Sequence, residues 1–418
     1  MLLPRWHRTL TDHRDAPAIF HGESALSFGA IAERLDALPT ATAPVIATGS
    51  ALEIILATLR GWRDGQPVVP VERADGALPE LDGVREGIAH VKLTPGNDGR
   101  PRGVWFTAEQ LAADADRLVA AMGLRRDTPN LATVSLTHSY GYSSIVLPLL
   151  LHGIPLQTVE VPFPAVVSAA WKNHARIVLA AVPSMWRAWH RSGILENAPI
   201  ALALSAGAPL ALELEQAVWD AQGLKLHNFY GASECGGISY DATDRPRTDA
   251  ADLGSPLLGV EVRLSDDGRF LIESDAVATC YDLHRSGEVL GEGRFLTPDH
   301  GHLAADHLIL DARGGEHINV AGRKLGPGRI EAALKSTGLV DRIRVFGLPS
   351  PDPERVEEVA ALVPPGTDTT ALRRAASTHL AGWEIPRHWF TSRHESDFSL
   401  TRPELRKKHA SGTLNTEH

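Results

Sequence analysis

The stretch "IALALSAGAPLALELEQAVWDAQG", residues 200–223, carries the pattern from which the fold is predicted. It begins with an apolar strand, passes through a short loop, and continues as an amphipathic helix that stops at Gly223. Residues 175–193 repeat this order, and residues 44–65 give a buried strand followed by a helix with a glycine stop. Strands that alternate with amphipathic helices indicate a largely parallel sheet covered by helices.

The pattern changes after about residue 253. The stretch "GVEVRLSDDGRFLIES", residues 259–274, alternates apolar and polar side chains on both sides of an Asp-Gly turn. Such a turn between two alternating runs predicts a β-hairpin. Beyond Arg313 the helix "GRIEAALKSTG" and the strand "RIRVFGLPS" indicate a smaller α+β segment. A chain of 418 residues exceeds what one hydrophobic core usually supports, so two domains are expected.

Composition excludes several classes of protein. The formal net charge of -10 argues against a sequence-wide surface for nucleic acid or anionic membrane, so neither partner is expected. No apolar run is long enough for a signal peptide or a membrane span. Two isolated cysteines, Cys235 and Cys280, suit neither a disulfide framework nor a zinc site. We therefore expect a cytoplasmic protein.

A loop rich in glycine and arginine, "LTPGNDGRPRGVWF" at residues 93–106, is suited to an anion. Its glycines allow the backbone N–H groups to approach a ligand, and Arg100 and Arg102 supply positive charge. The loop is not a Walker loop, because no Lys-Ser or Lys-Thr follows the second glycine. From these residues alone, an ordinary surface turn and a phosphate loop are equally acceptable.

Two further segments carry groups that suit a nucleotide. In "NFYGASECGG", residues 228–237, Ser233 and Glu234 place a hydroxyl beside a carboxylate, which suits a Mg²⁺-bound phosphate. In "FLTPDHGHL", residues 295–303, Asp299 stands at a strand-to-turn junction, where a carboxylate can accept both hydroxyls of a ribose. The alternative for Asp299 is an Asx-turn residue.

The order of these segments resembles the adenylate-forming superfamily, which includes acyl- and aryl-CoA synthetases, adenylation domains of peptide synthetases, and luciferases. Residues 94–103 look like its phosphate loop, with Arg102 in place of lysine. "FYGASE" is similar to its Tyr-Gly-x-Thr-Glu motif, and "INVAGRKLGPGRIE" to the start of its mobile lid. Residues 136–156 also look like the family's substrate-side helix, residues 202–210 like the loop that lines the adenine and acyl pocket, and Asp299 like its ribose-binding aspartate. The resemblance covers nearly the whole chain, and six degenerate motifs in the correct order rarely arise by chance.

The resemblance implies an α/β fold. A large N-terminal domain, residues 1–312, would consist of helix-covered, mostly parallel sheets with a small β-barrel-like subdomain at about 253–312. A small mobile α+β lid would form residues 313–418.

The family's functional residues carry over position by position. The resemblance implies catalysis by Arg102, Glu234 and Lys324; ATP binding by Thr94, Gly96, Gly99, Arg102, Gly207, Tyr230, Gly231, Ser233, Asp299 and Arg313; acid binding by His138, Ser205, Ala206 and Gly231; a hinge at Gly315; and Mg²⁺ binding by Glu234. For His138 the alternative is a core or helix-end histidine without contact to a ligand. Arg323, Arg342 and Arg344 are candidates for docking an acidic carrier protein.

The sequence also departs from the family. The lysine that bridges the acid and the α-phosphate in the family's Gly-Lys-x-x-Arg pattern is replaced here by Ser399, when Arg402 is aligned with the motif arginine. A preorganised donor of this kind contributes about 10²- to 10³-fold in rate. The chain is also shorter than typical full-length relatives. Arg102, Lys407 and Lys408 are the basic groups that we consider as replacements.

The implied activity has two half-reactions. ATP and a carboxylic acid, with Mg²⁺, give an acyl-adenylate and pyrophosphate; the thiol of CoA or of an acyl carrier protein's phosphopantetheine then takes the acyl group. Compact relatives occur in aryl-polyene and xanthomonadin-type pigment pathways, so an aryl acid such as a hydroxybenzoate is the leading substrate. The alternatives are a degenerate member that binds nucleotide or carrier protein without turnover, a fatty acid CoA ligase, and an enzyme that uses adenylation for another outcome, such as β-lactone closure.

Overall fold

The structure of the chain is a computed structural model, and it describes residues 1–72, 86–95, 101–285, 287–312, 318–321, 323–352, 355–392, 394, 397–398, 400 and 402–416. The chain divides into two compact units. The first contains residues 1–94 and 102–314, and the second contains residues 95–101 and 315–418.

Nineteen described strands lie wholly or mainly in the first unit. They are β1 (Pro17–His21), β2 (Ser24–Ser27), β3 (Val45–Ala47), β4 (Val68–Pro70), β5 (Ile88–Pro95), β6 (Pro101–Thr107), β7 (Asn130–Ala132), β8 (Leu156–Thr158), β9 (Ile177–Ala181), β10 (Ile200–Ser205), β11 (Leu226–Ala232), β12 (Gly236–Tyr240), β13 (Ser255–Pro256), β14 (Glu261–Leu264), β15 (Arg269–Glu273), β16 (Cys280–Tyr281), β17 (Leu290–Gly291), β18 (Arg294–Ala304) and β19 (His307–Ala312).

The helices of this unit lie mainly between the strands of its first two thirds. They are α1 (Leu2–His13), α2 (Phe28–Asp36), α3 (Ala51–Asp64), α4 (Ala108–Ala121), the short α5 (Ser139–Gly141), a π-helical turn (Tyr142–Val146), α6 (Leu147–His152), α7 (Pro164–Trp171), α8 (Pro183–Ser192) and α9 (Leu212–Gln222).

Two sheets form the α/β part of the unit. The larger has the strand order β13-β12-β11-β10-β9-β7-β8-β1-β2, and the pairs from β1 through β8, β7, β9 and β10 to β11 are parallel. The smaller has the order β16-β6-β5-β4-β3. The prediction of helix-covered, mostly parallel sheets is confirmed. Predicted strand and helix positions in residues 44–65 correspond to β3 and α3.

Local signals explain where helices α3 and α4 begin. Ser50 and Glu53 form a capping box at the start of α3, and Thr107 and Gln110 form another at the start of α4. Each box satisfies backbone N–H groups that a first helical turn leaves without partners. The second box fixes α4 directly after β6, so the strand that leaves the glycine-rich loop is anchored at its far end.

A third sheet corresponds to the predicted β-rich subdomain. It has the order β14-β15-β18-β17, and β19 also pairs with β18. The predicted Asp-Gly hairpin is the β14–β15 pair, in which Gly268 has a φ of +82°. Among the described strands this sheet is open, so the expectation of a barrel-like subdomain is corrected to an open antiparallel sheet. Closure needs pairing between distant strands, which local patterns do not encode.

The second unit is a small α+β structure. It contains β20 (Ile318–Val320), β21 (Arg323–Leu325), α10 (Pro327–Lys335), β22 (Arg344–Pro349), β23 (Glu357–Val363), α11 (Thr369–Ala376), β24 (His388–Thr391), α12 (Arg402–Ala410) and β25 (Asn415–Thr416). Strands β22 to β25 form one sheet in chain order, and β20 pairs with β21. The interpretation of this unit as a mobile lid stays a prediction.

No helix within the described residues is both long and apolar enough to cross a lipid bilayer.

Candidate active site

The parallel strands of the larger sheet place several predicted site residues at one edge. Strand β10 ends at Ser205, which lies opposite Asn228 of β11 in the parallel register. Carboxyl ends of adjacent parallel strands meet at the same edge, which is where open α/β sheets bind ligands. Ser205 is fully buried, and its Oγ has no hydrogen-bond partner among the described residues. Ala206 is also buried, and Gly207 turns the chain with a φ of +80°.

Two of the predicted ATP-binding residues are in direct contact. Tyr230, near the end of β11, donates a hydrogen bond from Oη to Oδ2 of Asp299 in β18, at 2.7 Å. The backbone N–H of Asp299 donates to Thr297 Oγ1 at 3.2 Å, so a local turn holds the aspartate in place. The larger sheet and the open antiparallel sheet therefore meet at this hydrogen bond.

At two positions beside the turn between β11 and β12, only a glycine fits. A Cβ on Gly231 would lie 2.6 Å from the carbonyl oxygen of Gly236. Gly236 has a φ of +71°, and a Cβ there would overlap the carboxylate of Asp114. Asp114, in α4, accepts a hydrogen bond from the backbone N–H of Gly237 at 3.0 Å. Its buried carboxylate thus lies directly behind the turn that carries Ser233 and Glu234.

Glu234, the predicted Mg²⁺ ligand, is half-buried and held from one side. Its Oε1 accepts a hydrogen bond from Tyr281 Oη at 3.1 Å. Its backbone carbonyl accepts from the N–H of Ala278 at 2.8 Å. Burial raises the pKa of the Tyr281 phenol, and the Glu234 charge adds to this effect, so Tyr281 stays protonated and acts as a donor. The carboxylate is therefore oriented by a neutral hydrogen-bond donor.

Arg102, the predicted catalytic arginine, is already bound within the protein. Its two terminal nitrogens lie 2.5 Å from the two carboxylate oxygens of Glu288, and it also donates to the backbone carbonyl of Leu283. Its guanidinium lies 3.4 Å from the ring centroid of Tyr281. Burial by itself would raise the pKa of the Glu288 carboxyl, but the hydrogen bonds from Arg102 and from the backbone N–H of Arg285, together with the charges of both arginines, lower it overall. A phosphate would have to compete with Glu288 for this guanidinium.

The ends of the predicted phosphate loop are described, but its centre is not. Thr94 Oγ1 donates to the backbone carbonyl of Arg102 at 3.4 Å, which connects β5 to β6. The backbone N–H of Gly103 donates to Asp282 Oδ2 at 2.8 Å. Gly96 and Gly99 lie outside the described residues.

His138, the predicted wall of an acyl pocket, lies on the surface. Its side chain is 64% exposed, and Nε2 is 2.9 Å from Glu72 Oε1. This position favours the alternative of a helix-end histidine, since His138 directly precedes α5.

The remaining predicted residues belong to the second unit or to its boundary. Lys324 lies in β21, where it pairs with Asn319 of β20. Arg313, Gly315 and Ser399 lie outside the described residues. Of the arginines considered for carrier docking, Arg323 lies over the ring of Trp383 at 4.6 Å and Arg342 over Phe398 at 5.6 Å. The guanidinium of Arg344 lies 3.8 Å from Glu331.

Sequence reasoning missed a buried polar group on β5. His90 and Lys92 lie on one face of this strand, and both are buried. The His90 ring packs on Tyr142 with centroids 4.4 Å apart, and Lys92 Nζ is 3.4 Å from Ser143 Oγ. The available signal was the alternation in "IAHVKL", residues 88–93, where two basic residues stand two apart in an otherwise apolar strand.

The site is compatible with Mg²⁺ in a particular way. Among the described residues, no group of three or more His, Cys, Asp or Glu side chains is placed to hold a metal ion by itself. Proteins often bind Mg²⁺ through one or two carboxylates, with substrate phosphates and water as the other ligands. A single half-buried carboxylate such as Glu234 fits this mode of binding.

Comparison with known proteins identifies the family. Residues 8–281 match the family model described as "AMP-binding enzyme". This match covers more than half of the chain, so the chain belongs to the AMP-binding enzyme family.

Individual relatives are acid–CoA ligases. The chain is 24% identical over 333 residues to 2-succinylbenzoate–CoA ligase of Listeria innocua, covering 77% of this chain and 70% of the relative. It is 24% identical over 334 residues to long-chain-fatty-acid–CoA ligase of Bacillus subtilis, covering 74% and 59% respectively. The alignment thus spans less than two thirds of the second relative.

Solved structures show the same fold. A double mutant of o-succinylbenzoate CoA synthetase from Bacillus subtilis aligns with a TM-score of 0.82 at 16% identity, covering 96% of this chain and 97% of that chain. An amide bond synthetase from Marinactinospora thermotolerans aligns with a TM-score of 0.77 at 20% identity, covering 93% and 96%. At these identities the likeness establishes the fold alone.

Proposed function

We propose that this protein is an AMP-forming acid–thiol ligase. In the first half-reaction, a carboxylate oxygen attacks the α-phosphorus of ATP, the bond to the β,γ-diphosphate breaks, and acyl-adenylate and pyrophosphate form. In the second, a thiol attacks the acyl carbon, AMP leaves, and the thiol proton passes to solvent or a base. The observation that carries the proposal is the hydrogen bond between Tyr230 and Asp299, because it joins two separately predicted nucleotide-binding motifs.

The residues of the site have complementary roles in this proposal. Asp299 accepts the ribose hydroxyls, with Tyr230 fixing its orientation through the 2.7 Å hydrogen bond. Glu234 holds Mg²⁺, which, when bound, offsets the negative charge of the phosphates. Tyr281 holds the Glu234 carboxylate in place. Ser205 and Ala206, at the end of β10, form the side of the site that faces the acid.

For the substrate, we propose an aryl acid, such as a hydroxybenzoate. The names of relatives support this choice in part, since 2-succinylbenzoate is an aromatic acid. The unpartnered Oγ of Ser205 offers a hydrogen bond to a polar acid. The relative named for long-chain fatty acids supports the competing choice of an aliphatic acid.

For the acceptor, we propose a phosphopantetheine thiol, carried either by CoA or by an acyl carrier protein. The CoA ligases among the relatives favour CoA. Cation–π contacts and an ion pair already engage the three arginines that we considered for carrier docking. Assignment to a pigment pathway would follow from a hydroxybenzoate substrate together with a carrier acceptor.

Two observations favour a second function, that of a member that binds nucleotide without turnover. Arg102 is paired with Glu288, and Ser399 stands where the resemblance places the catalytic lysine. A protein with both changes would bind ATP but would lack positive charge at the reacting phosphate.

The test is acid-dependent exchange of pyrophosphate into ATP with a panel of acids. The panel contains hydroxybenzoates, succinylbenzoate, and fatty acids of several lengths, and each active acid is then offered CoA or a phosphopantetheinylated carrier protein. We expect exchange with at least one aryl acid, followed by thioester formation detected by mass spectrometry. ATP binding without exchange for any acid would contradict the ligase and support the binding function.

A further inference from the structure

Residues 278–285 and 287–291, which we call the strap, run between two parts of the candidate active site. At the start of the strap, the backbone N–H of Ala278 donates to the carbonyl of Glu234 at 2.8 Å. At its end, β17 pairs with β18, the strand that contains Asp299. The strap therefore contacts both the turn of the predicted Mg²⁺ ligand and the strand of the predicted ribose ligand.

Backbone hydrogen bonds hold the first part of the strap along β6. Strand β16 pairs with β6 in the antiparallel sense. The N–H of Thr279 donates to the carbonyl of Trp105 at 2.8 Å, and the N–H of Asp282 donates to the carbonyl of Gly103 at 2.9 Å. The backbone on both sides of Tyr281 is therefore fixed, and the orientation of its ring depends on side-chain contacts.

The ring of Tyr281 lies between two charged side chains of the site. Its Oη donates to Oε1 of Glu234 at 3.1 Å. The guanidinium carbon of Arg102 lies 3.4 Å from the centroid of the same ring. Guanidinium groups stack well on aromatic faces, and such a contact limits the movement of the ring. Direct contacts therefore lead from Arg102 through Tyr281 to the Glu234 carboxylate.

Glu288, near the end of the strap, fixes Arg102 in this position. The two carboxylate oxygens of Glu288 lie 2.5 Å from the two terminal nitrogens of Arg102. The same guanidinium donates to the carbonyl of Leu283, and Glu288 also accepts from the backbone N–H of Arg285 at 2.9 Å. A two-point pair between an arginine and a carboxylate sets the plane of the guanidinium as well as its distance. That plane is the one that covers the Tyr281 ring.

The same contacts argue against Arg102 as a phosphate ligand. The side chain of Arg102 is 10% exposed, and that of Glu288 is 27% exposed. A phosphate at this guanidinium would replace one two-point pair by another, and it would leave the partly buried Glu288 carboxylate without its cation. An uncompensated charge in such a place is unfavourable. The exchange of one anion for another would therefore add little to the affinity for ATP.

We propose that Arg102 and Glu288 are positioning residues for adenylate formation, and that their ion pair clamps the Tyr281 ring so that Tyr281 holds the Glu234 carboxylate in one orientation. This role replaces the phosphate contact that the resemblance implies for Arg102. The inference rests on the ligase function proposed above, in which Glu234 binds Mg²⁺. It assigns the charge of Arg102 to Glu288 rather than to ATP.

Calorimetric titration of the full chain with ATP, once with Mg²⁺ and once with excess EDTA in its place, tests the proposal. The ratio of the two dissociation constants measures how much Mg²⁺ strengthens ATP binding, and a general loss of structure would weaken both affinities together. A clamp that acts on Glu234 changes this ratio, whereas a phosphate contact by Arg102 changes the affinity in EDTA. The kcat of pyrophosphate exchange is measured on the same preparations.

Three variants break the clamp at different contacts. Tyr281→Phe keeps the ring and removes the Oη hydrogen bond. Glu288→Gln keeps the shape of the side chain but removes the charge that holds the guanidinium. Arg102→Lys keeps a positive charge, as in the family's phosphate loop, but loses the planar fork. We expect each variant to lower the strengthening by Mg²⁺ about threefold to fivefold and kcat about fivefold or more, with the affinity in EDTA within about twofold of wild type.

The double variant Tyr281→Phe/Glu288→Gln tests whether the contacts act in series. Since Glu288 acts through Tyr281, we expect the double variant to match the more impaired single variant within about twofold, rather than to show the product of both losses. Glu292→Gln, at a side chain that is 89% exposed, is the matched control and should behave as the wild type. If thermal unfolding shows that Glu288→Gln is not folded at the assay temperature, Arg102→Lys takes its place in the double variant.

Three results would overturn the inference. Tighter ATP binding in EDTA by Glu288→Gln, by about fivefold or more, would show that Glu288 competes with phosphate for Arg102. Wild-type values for Arg102→Lys would show that charge alone is used, as expected of a phosphate ligand. Multiplied losses in the double variant would show that Glu288 and Tyr281 act independently.

The ligase function fails by a different result. If the wild type shows no pyrophosphate exchange with any acid, the ligase function is wrong, and the ATP titrations then decide the role of the clamp alone. If the wild type exchanges pyrophosphate, and Arg102→Lys and Glu288→Gln match it in kcat and in the strengthening by Mg²⁺, only the role of Arg102 and Glu288 is wrong.

Discussion

At the scale of single residues, Glu234 offers the sharpest test of the proposed Mg²⁺ site. Glu234→Gln preserves the shape of the side chain and an oxygen that accepts from Tyr281, but it removes the negative charge that Mg²⁺ requires. We expect adenylate formation to fall about 10²-fold or more, because metal assistance contributes several kcal/mol. The Tm should stay close to that of the wild type. The measurement is initial-rate pyrophosphate exchange at saturating Mg²⁺, ATP and acid.

The matched control for this variant is Glu292→Gln, since the Glu292 side chain is 89% exposed. It should leave both rate and Tm unchanged. Exchange by Glu234→Gln at more than half of the wild-type rate would contradict the role of Glu234.

His90 gives a prediction about stability and pH. Its ring is fully buried, and neither nitrogen has a hydrogen-bond partner among the described residues. Burial, with a contribution from Lys92, holds its pKa well below the ordinary value of 6.5. In the unfolded chain, His90 therefore takes up a proton near pH 6.5, whereas in the folded chain it stays neutral at that pH. Folding stability then decreases as pH falls below 6.5, by up to about 1.4 kcal/mol per pH unit for this one group.

His90→Leu should remove that contribution. We expect its stability at pH 7.5 to equal or exceed that of the wild type, because two unsatisfied buried polar atoms are lost. Between pH 6.5 and 5.5 its stability should fall less steeply than that of the wild type. Urea unfolding at several pH values measures both effects, with His7→Leu, at an exposed position on α1, as the control. Equal slopes for wild type and His90→Leu would show that His90 takes up a proton in the folded state.

Residues of the site differ in how far the sequence predicts them. Tyr230 and Asp299 stand in recognisable motifs, yet 69 positions separate them, so their contact was implied only by the resemblance. Asp114 and Lys92 were missed because a single charge within a helix or strand does not reveal whether its face is buried. His138 was placed in a pocket by analogy, and the structure puts it on the surface.

At the scale of secondary-structure elements, a buried ionic network connects α9 to the larger sheet. Lys225, just before β11, contacts Glu215 of α9 and Asp241 after β12, and Arg247 binds the second oxygen of Glu215 at 3.0 Å. The group is nearly fully buried. Removing one member of a buried ionic group leaves an uncompensated charge and costs about 3–5 kcal/mol.

Lys225→Met should therefore lower the free energy of unfolding by about 3–5 kcal/mol. The loss would arise because the variant leaves the buried Asp241 carboxylate without its cation. In the wild type, burial opposes the ionisation of Asp241, but hydrogen bonds from Lys225 and Thr243 favour it, and the pKa of Asp241 is lowered overall. Since that pKa is lowered in the folded chain, its stabilisation is present above the unfolded pKa and is lost as pH falls through the folded value.

Denaturant unfolding at pH 7.5 and at lower pH measures the loss. The difference between wild type and Lys225→Met should shrink as Asp241 becomes protonated. Lys172→Met, at an exposed lysine directly after α7, serves as the control. A change in the free energy of unfolding below about 1 kcal/mol would mean that the network contributes little beyond an apolar replacement.

Elements that depend on local chemistry were predicted well. Strand β3, helix α3 and the β14–β15 hairpin follow from apolar spacing, a capping residue and an Asp-Gly turn. The π-helical turn of Tyr142–Val146 was not predicted, because such turns depend on packing that spacing does not report. The open form of the third sheet was also missed, because pairing between strands that are far apart in the chain decides whether a sheet closes into a barrel.

At the scale of the whole molecule, the chain divides into two compact units, and the proposed ligase function predicts a movement between its two half-reactions. The boundary between the units falls between Gly314 and Gly315, close to the predicted hinge, although these residues lie outside the described part of the chain. Adenylate formation and thiol transfer need different groups, and a domain movement can present them in turn. The length of the chain favours two domains, and the division at residues 312 and 313 that the resemblance implies stays a prediction.

Gly315→Pro tests whether this boundary is a pivot. Proline fixes φ near -65°, while a pivot must change its backbone angles between two states. We expect thioester formation to slow about tenfold, a barrier increase of about 1.4 kcal/mol, and adenylate formation to change by less than about threefold. Gly315→Ala, which keeps the N–H and much of the rotational freedom, should fall between wild type and proline. Rapid-quench measurement of both half-reactions on one enzyme preparation separates the outcomes. Equal losses in both would point to general damage rather than to a hinge, and equal rates in both would place the pivot at another residue.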